Sequence, residues 1–311
     1  SHPHHSLGGS MPRLHALAVT SVTLMLTVGT AHAQYPVDAA TFDWSGAVSA
    51  GATLRIDNVD GDIQVSPSSS GKAHVHGERT RVTSGGRALV FDVVQSGSDV
   101  TICARYPDGR CDESGAHGHS GVEYGQTPAA NLTVELPAGV KLAAKTGDGH
   151  IGIKDAGADV IAKSGDGEIT VAGAAGTVDA RSGDGDITME AVKGAVSAHT
   201  GDGNIRISAG TAPVRLSSGD GTIEVHVTTA SDGQSVEAHT GDGSITVYLP
   251  SSFSGEVDAS TGEGSLESDF PLTLSGHMDT HHLRGTVGSA GSNAARVMLT
   301  TGDGDVRLKK S

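Results

Sequence analysis

Residues 160–177 read VIAKSGDGEITVAGAAGT, and the same pattern returns at a step of 18 residues. Gly-Asp-Gly stands at 147–149, 165–167, 183–185, 201–203 and 219–221, then at 241–243, as Gly262-Glu263-Gly264, and at 302–304. The last three steps lengthen to 22, 21 and 40 residues. Within one unit Val160, Ala162 and Ser164 alternate before the glycines, and Ile169 and Val171 alternate after them. A period of two puts every second side chain on one face, the pattern of a strand with one buried side. Glycine and aspartate between two such runs mark a tight turn, where glycine takes positive φ at little cost. A half-period of nine (Gly167 and Gly176, Ile169 and Val178) divides each unit into two short strands and two turns.

A unit this small cannot bury its own apolar face. Stacked units can, with equivalent residues about 4.8 Å apart. The spacing predicts an all-β fold: a parallel β-solenoid with 18-residue coils, two short strands per coil, and irregular caps at both ends. Four inward columns follow. One runs Leu142, Val160, Val178, Val196, Val214, Val236, Val257, Val297; beside it run Ala144, Ala162, Ala180, Ala198, Leu216, Ala238, Ala259, Leu299. Opposite lie Ile151, Ile169, Ile187, Ile205, Ile223, Ile245, Leu266 and Val306, with Ile153, Val171, Met189, Ile207, Val225 and Val247 next to them. The rival arrangement is a closed antiparallel barrel or sandwich, because a hairpin repeat would alternate too. The position of neighbouring Gly-Asp-Gly corners decides between them.

The flanks depart from the period. Residues 53–65 (TLRIDNVDGDIQV) read as a degenerate first coil inside an N-terminal β cap region, 53–140, that also holds ALVFDVV, DVTICARY and NLTVELP. Residues 141–311 carry the repeat, with an insertion near 276–293 (GHMDTHHLRGTVGSAGSN) that fits a loop or an imperfect extra coil. The whole of 53–311 reads as one continuous domain. Upstream, residues 1–10 resemble a tag remnant or an upstream start, and 11–33 have the form of a signal peptide: Arg13, an apolar run, then Ala31-His32-Ala33 as a cleavage site. The mature chain would begin at Gln34, with 34–52 as a linker, and no later stretch suits a membrane-spanning helix. The expected location is the periplasm, the cell surface or the medium.

Composition narrows the function. The chain has a net charge of −15, 45 glycines in 311 residues, and only 4 Phe, 4 Tyr and 1 Trp. The acidic balance argues against nucleic acid as a partner. So few aromatics argue against base stacking and against an aromatic-lined sugar cleft. No nucleophile elbow, zinc-protease helix motif, Walker loop or redox cysteine pair is present, so no catalytic residue, cofactor or enzymatic activity is expected. Gly-x-Gly occurs in every turn and so means turn rather than nucleotide. Gly152, Thr170, Thr188, Arg206, Glu224 and Thr246, outward between two apolar columns, are too mixed for an ice-binding face.

Cys103 and Cys111 flank Pro107-Asp108-Gly109, and in an exported chain they read as a disulfide pinning a loop. Histidine pairs at 74/76, 117/119 and 281/282, with His277, lack a complete ligand set of known spacing. Stacking lines up Asp148, Asp166, Asp184, Asp202, Asp220, Asp242, Glu263 and Asp303, whose adjacent carboxylates repel by about 1 kcal/mol even in water. Asp166, Asp184, Asp202 and Asp220 are thus weak candidates for calcium. The better offset is local: turn N–H groups, and the column of Lys145, Lys163, Arg181, His199 and His239 three residues upstream of the acids.

The TGDGxIxV repeat, the preceding NLTVELPAGVKLAAKTGDG, the Cys103/Cys111 loop and the late LRGTVGSAG…VMLTTGDGDVRL together resemble a bacterial family. It is the "putative adhesin" group of β-strand-repeat proteins, a domain of unknown function. The resemblance spans residues 50–311 and implies a β-solenoid at the envelope or outside the cell. It supplies no catalytic residues. The expected role is an exported, non-enzymatic adhesin or envelope scaffold meeting a protein or glycan partner. The alternatives are an envelope-stress sensor or regulatory exodomain and, further off, a carbohydrate-active β-helix enzyme.

Overall fold

The computed structural model describes residues 31–34, 40–81, 89–118, 128–210, 213–229, 233–275, 280–289, 291 and 294–311. Among them the chain is all strand and turn, without helix. Two long sheets run the length of the molecule. Sheet A has fourteen strands, in spatial order Ala31–Gln34, Val90–Ser96, Asp99–Arg105, Thr53–Asn58, Lys141–Lys145, Val160–Lys163, Val178–Arg181, Val196–Thr200, Val214–Ser218, Ser235–Thr240, Ala295–Thr301, Gly255–Thr261, His282–Val287 and Leu272–Leu274. Sheet B has twelve: Thr41–Gly46, Ala73–Arg81, Ala129–Leu136, Ile63–Pro67, Ile151–Ala156, Ile169–Ala174, Ile187–Val192, Ile205–Ala209, Ile223–Val227, Ile245–Leu249, Val306–Lys310 and Leu266–Ser268. Each sheet keeps two edges, so this is an open solenoid and not a barrel.

The repeat stacks in register as its period requires. Val160 pairs with Leu142 and Val178, and Ile169 with Ile151 and Ile187, all in parallel ladders. The inward columns are buried throughout, apart from a half-buried Leu266 on the last strand of sheet B. Alanine on the sheet A side faces the Ile and Val columns of sheet B, which keeps the interior thin. Each buried Ile or Val contributes about 1.5–3 kcal/mol of hydrophobic stabilisation.

The corners explain the glycines. From Gly165 onward the first glycine of the corner donates its N–H to the carbonyl of the equivalent glycine one coil away: Gly165 to Gly147, Gly241 to Gly219, Gly262 to Gly302. A Cβ at Gly241 would lie 2.5 Å from that carbonyl oxygen, so the column admits no side chain. The small hydroxyl residue before each corner closes it. Ser182 Oγ donates to Gly167 O at 2.9 Å and accepts Gly185 N–H at 3.1 Å. Ser218 repeats both bonds, and Thr200 and Thr240 repeat the first.

The coils do not stack in chain order at either end. The C-terminal coil, 295–310, lies between coil 235–249 and coil 255–268, so Val297 sits between Val236 and Val257. Inserting the chain end beneath an earlier coil is what the 40-residue step accomplishes. The insertion near 276–293 is neither a loop alone nor a coil. It contributes His282–Val287, antiparallel to Gly255–Thr261, with Leu272–Leu274 antiparallel beyond it. The N-terminus mirrors this. The degenerate first coil stacks directly on the repeat through Leu54–Leu142 and Ile63–Ile151, while Asp99–Arg105 and Ala129–Leu136 pair with its other side. Within the stretch expected as a linker, Thr41–Gly46 is an edge strand whose Phe42 is buried and stacks on Phe91 at 4.8 Å. Its Phe-x-Trp alternation is too short to announce a strand unaided.

Residues 1–30, which hold the expected tag and most of the expected leader, lie outside the described residues. Ala31–Gln34, at the expected cleavage site, pairs antiparallel with Val90–Ser96 at the edge of sheet A.

Candidate functional site

With the columns inside, the chemistry lies on three outer surfaces: the Gly-Asp-Gly corners, the outer face of sheet B and the outer face of sheet A. The corner acids form the expected column. Among the described residues none of Asp148, Asp166, Asp184, Asp202, Asp220, Asp242, Glu263 and Asp303 accepts a side-chain hydrogen bond or lies within 4.0 Å of a cation. The upstream cations turn elsewhere, Lys145 to Asp57 at 3.9 Å and Arg181 to Asp179 at 3.0 Å. Among the described residues the upstream cations thus do not supply the offset expected from the sequence. Repulsion still registers: burial, then the charges of Asp166 and Asp60, push the Asp148 carboxyl above its ordinary range.

The hydrogen-bonding acceptors stand two residues further on. Asp62 Oδ1 accepts His150 N–H at 2.9 Å, Asp186 Oδ1 accepts Asn204 N–H at 2.7 Å, Asn204 Oδ1 accepts Thr222 N–H at 3.0 Å, and Asp305 Oδ1 accepts Ser265 N–H at 2.8 Å. The signal was present in the sequence: Asp, His, Glu, Asn, Thr and Ser fill the position after Gly-Asp-Gly, and every one can accept.

Sheet B's outer face carries charge pairs: Arg206 pairs across strands with Glu224 at 3.4 Å, and Glu224 pairs along its own strand with His226 at 2.7 Å. His74 and His76 do share a face, both turned to Asp43, at 3.6 and 2.8 Å. His282 pairs with Asp258 at 2.9 Å. His119 and His277 lie outside the described residues. Among the described residues no group of three or more His, Cys, Asp and Glu side chains is arranged to hold a metal ion.

Sheet A's outer face is built differently, because a hairpin lies on it. Cys103 and Cys111 form a disulfide with a Cα–Cα distance of 6.1 Å, tying Arg110–Asp112 and its partner Gly115–His117 onto the sheet. The closed loop is worth about 2–3 kcal/mol on the chain-entropy account. Val94, Cys103, Cys111 and Ala116 make a small apolar cluster beneath the hairpin. Beside it Asp92, fully buried, pairs with Arg105, whose guanidinium also donates to Tyr106 O and Gly109 O at 2.8 Å. That buried pair braces the loop and was invisible in the sequence, where Asp92 sits inside an apolar run. Toward the repeat, Asp57 Oδ2 accepts Ala116 N–H at 2.9 Å, and Arg55 Nε donates to Glu113 O at 3.3 Å.

Asp112, Ser114 and His117 meet at the hairpin tip. Ser114 Oγ lies 2.8 Å and Asp112 Oδ1 2.9 Å from the same nitrogen, His117 Nε2. A relay needs the serine and the acid on opposite ring nitrogens. This cluster is a turn lock. The bonds from Ser114, then that from His117, hold the Asp112 carboxyl down at about 2.

Between hairpin and repeat lies a cavity of about 320 Å³, lined by Arg55, Lys145, Lys163, Asp57, Ser114 and His117 over a floor that includes Ala143 and Ile161. It opens past Ala143 and Ile161 into a groove of about 520 Å³ that crosses the strands toward Arg215 and Glu237.

Compared with known proteins, the chain matches the family model described as Toastrack DUF4097 over residues 52–309. Three solved structures are similar in outline. A "putative adhesin" from Bacteroides fragilis NCTC 9343 shares 14% identity, with 86% of this chain and 96% of that one covered and a TM-score of 0.42. A "putative adhesin" from Parabacteroides distasonis ATCC 8503 shares 12%, with 88% and 98% covered and a TM-score of 0.33. A "putative cell adhesion protein" from Clostridium sporogenes ATCC 15579 shares 12%, with 87% and 100% covered and a TM-score of 0.30. No curated protein matches.

Proposed function

The chain belongs to the Toastrack family, and on that premise we propose that it is an exported, non-enzymatic β-solenoid acting as an adhesin-type interaction surface at the cell envelope. The observation that carries this reading is the division of the molecule into an apolar, repetitive interior and two long outer faces with varied side chains. Coils that differ only outside suit recognition, since outer residues can change without disturbing the columns. Export rests on the leader pattern ending at Ala33 and on the disulfide, which persists in oxidising compartments. The non-enzymatic reading is supported by the geometry of the Asp112, Ser114 and His117 cluster, which suits a turn lock.

The test has two parts. The chain is expressed in a bacterium with a tagged C-terminus, fractionated, and sequenced from its N-terminus. Export predicts a chain beginning at Gln34 outside the cytoplasm; an intact leader in the cytosol refutes it. The purified protein is then tested for saturable binding to cell-envelope fractions and to surface glycans. Binding lost on outward substitutions such as Arg215→Ala supports the adhesin reading, and absence of saturable binding to all of them overturns it.

A further inference from the structure

Lys145, Lys163 and Arg181 occupy one outward column on three consecutive strands of sheet A. Like charges directly across a ladder destabilise it. Arg181 is relieved by Asp179, and Lys145 reaches Asp57 only at 3.9 Å. Lys163, flanked by a cation on either side, makes no hydrogen bond or ion pair through its ammonium among the described residues. It forms one wall of the cavity beside the hairpin together with Arg55 and Lys145. Asp57 is the one carboxylate in that lining, and its Oδ2 is already engaged by Ala116 N–H. Three cations against the one carboxylate of the lining leave two net positive charges there, in a chain whose overall charge is −15. The cavity is also held open. The disulfide, the Asp57–Ala116 bond and the Arg55–Glu113 bond fix the hairpin against the sheet, so an anion entering it need not order the walls first.

We propose that this cavity is a binding site for a phosphoryl group, with Lys163, Lys145 and Arg55 as its charge partners. A phosphate monoester carries about −1.5 to −2 charge at pH 7, which matches the excess in the lining. Arginine and lysine together offer the fork and the point charge that phosphate oxygens accept. The opening past Ala143 and Ile161, the latter 44% exposed, leaves room for the body of an ester to lie along the groove. The inference names a ligand class for part of the interaction surface and so rests on the reading of that face as a recognition surface.

The test uses the full chain at pH 7 and low salt, with amide and lysine NMR shifts followed against inorganic phosphate, phenyl phosphate, and vesicles of phosphatidylglycerol or phosphatidylcholine. The expected result is saturable movement of Lys145, Lys163 and His117 signals, weakened at least about tenfold (1.4 kcal/mol) in Lys163→Ala and unchanged in Lys154→Ala on sheet B. Phenyl phosphate binding more tightly than inorganic phosphate identifies a soluble ester as the ligand. Binding to phosphatidylglycerol but not phosphatidylcholine vesicles, abolished by Lys163→Ala, identifies a headgroup. Absence of saturable shifts with every probe, or a Lys163→Ala protein that binds like the parent while melting at the same temperature, overturns the assignment. Either failure leaves binding to envelope fractions to be judged on its own.

Discussion

Replacing Ser182 by alanine tests the account of the corners. Ser182 is 6% exposed, and its hydroxyl bridges two coils, donating to Gly167 O and accepting Gly185 N–H. Alanine removes both bonds and leaves a carbonyl and an amide facing a buried methyl group. Each lost bond costs about 1 kcal/mol net, and an unsatisfied buried partner adds up to about 1–3 kcal/mol. A loss of roughly 2–3 kcal/mol is expected. Two companions sharpen the test. Ser182→Thr should stay within about 0.5 kcal/mol, because Thr200 and Thr240 already make the bond to the neighbouring coil. Asp184→Asn, two residues away, should also be neutral or slightly stabilising, because among the described residues its carboxylate has no hydrogen-bond or ion-pair partner and faces like charges. Urea unfolding supplies the global value, and hydrogen exchange at Gly185 reports the corner itself even where the array unfolds in parts. If Ser182→Ala lies within 0.5 kcal/mol of the parent, or Asp184→Asn costs more than Ser182→Ala, the hydroxyl column is not what closes the corners.

Removing residues 294–311 should lower the melting temperature sharply and render 255–275 protease-sensitive, because coil 255–268 then has no parallel neighbour; limited proteolysis with mass spectrometry reads this out. Ser114→Ala should raise the Asp112 pKa from about 2 toward its ordinary 3.8, seen in a carboxyl NMR titration. The sign of the linkage follows: a carboxyl with a lowered folded pKa adds stability above 3.8 that is lost as pH falls through about 2, so hairpin amides should exchange faster across that window in the parent and change less in the variant. Asp155, Gly173 and Ala191 occupy one column with φ of 46°, 94° and 53°. Left-handed alanine carries a strain of about 1–2 kcal/mol, so Ala191→Gly should stabilise by up to about 1 kcal/mol in thermal melts, after the entropy glycine loses on folding.

How much of this was legible depended on what repeats. A column is visible because Val160, Val178 and Val196 obey one period, and burial then follows from stacking without knowledge of the rest of the chain. The corner acids were visible for the same reason, but their chemistry was not. A recurring Asp at 166, 184 and 202 attracts attention as charge, whereas the working group is the modest Ser or Thr two residues before it and the varied acceptor two residues after. Composition hides the latter, since Asp186 and Asn204 perform one hydrogen-bonding task with different side chains. The hairpin over sheet A was legible only as two cysteines. Its pairing with Arg55 and Asp57, and the buried Asp92–Arg105 pair, depend on contacts between segments that share no pattern. The cavity exists only through those contacts.

The threading of the two ends has a physical consequence that a simple stack would lack. In an array of coils laid down in chain order, the last coil has one neighbour and frays first, because each repeat is held only by those beside it. Here the C-terminal coil 295–310 has a coil on both sides, and the first coil 53–67 likewise lies between 141–156 and the strands of 99–105 and 129–136. At the C-terminal end the edges are Leu272–Leu274, antiparallel to His282–Val287, and Leu266–Ser268; at the other end they are Ala31–Gln34 and Thr41–Gly46, each antiparallel to an internal strand. The C-terminal cap, paired to 255–261, joins the stack only through coil 295–310. Coil 255–268 stacks on 295–310, so the chain must pass it over and return. The ends are thus secured by long-range pairing at the expense of sequential assembly. A stack that could otherwise zip along its whole length must finish each end through contacts distant in sequence, the kind that slow folding.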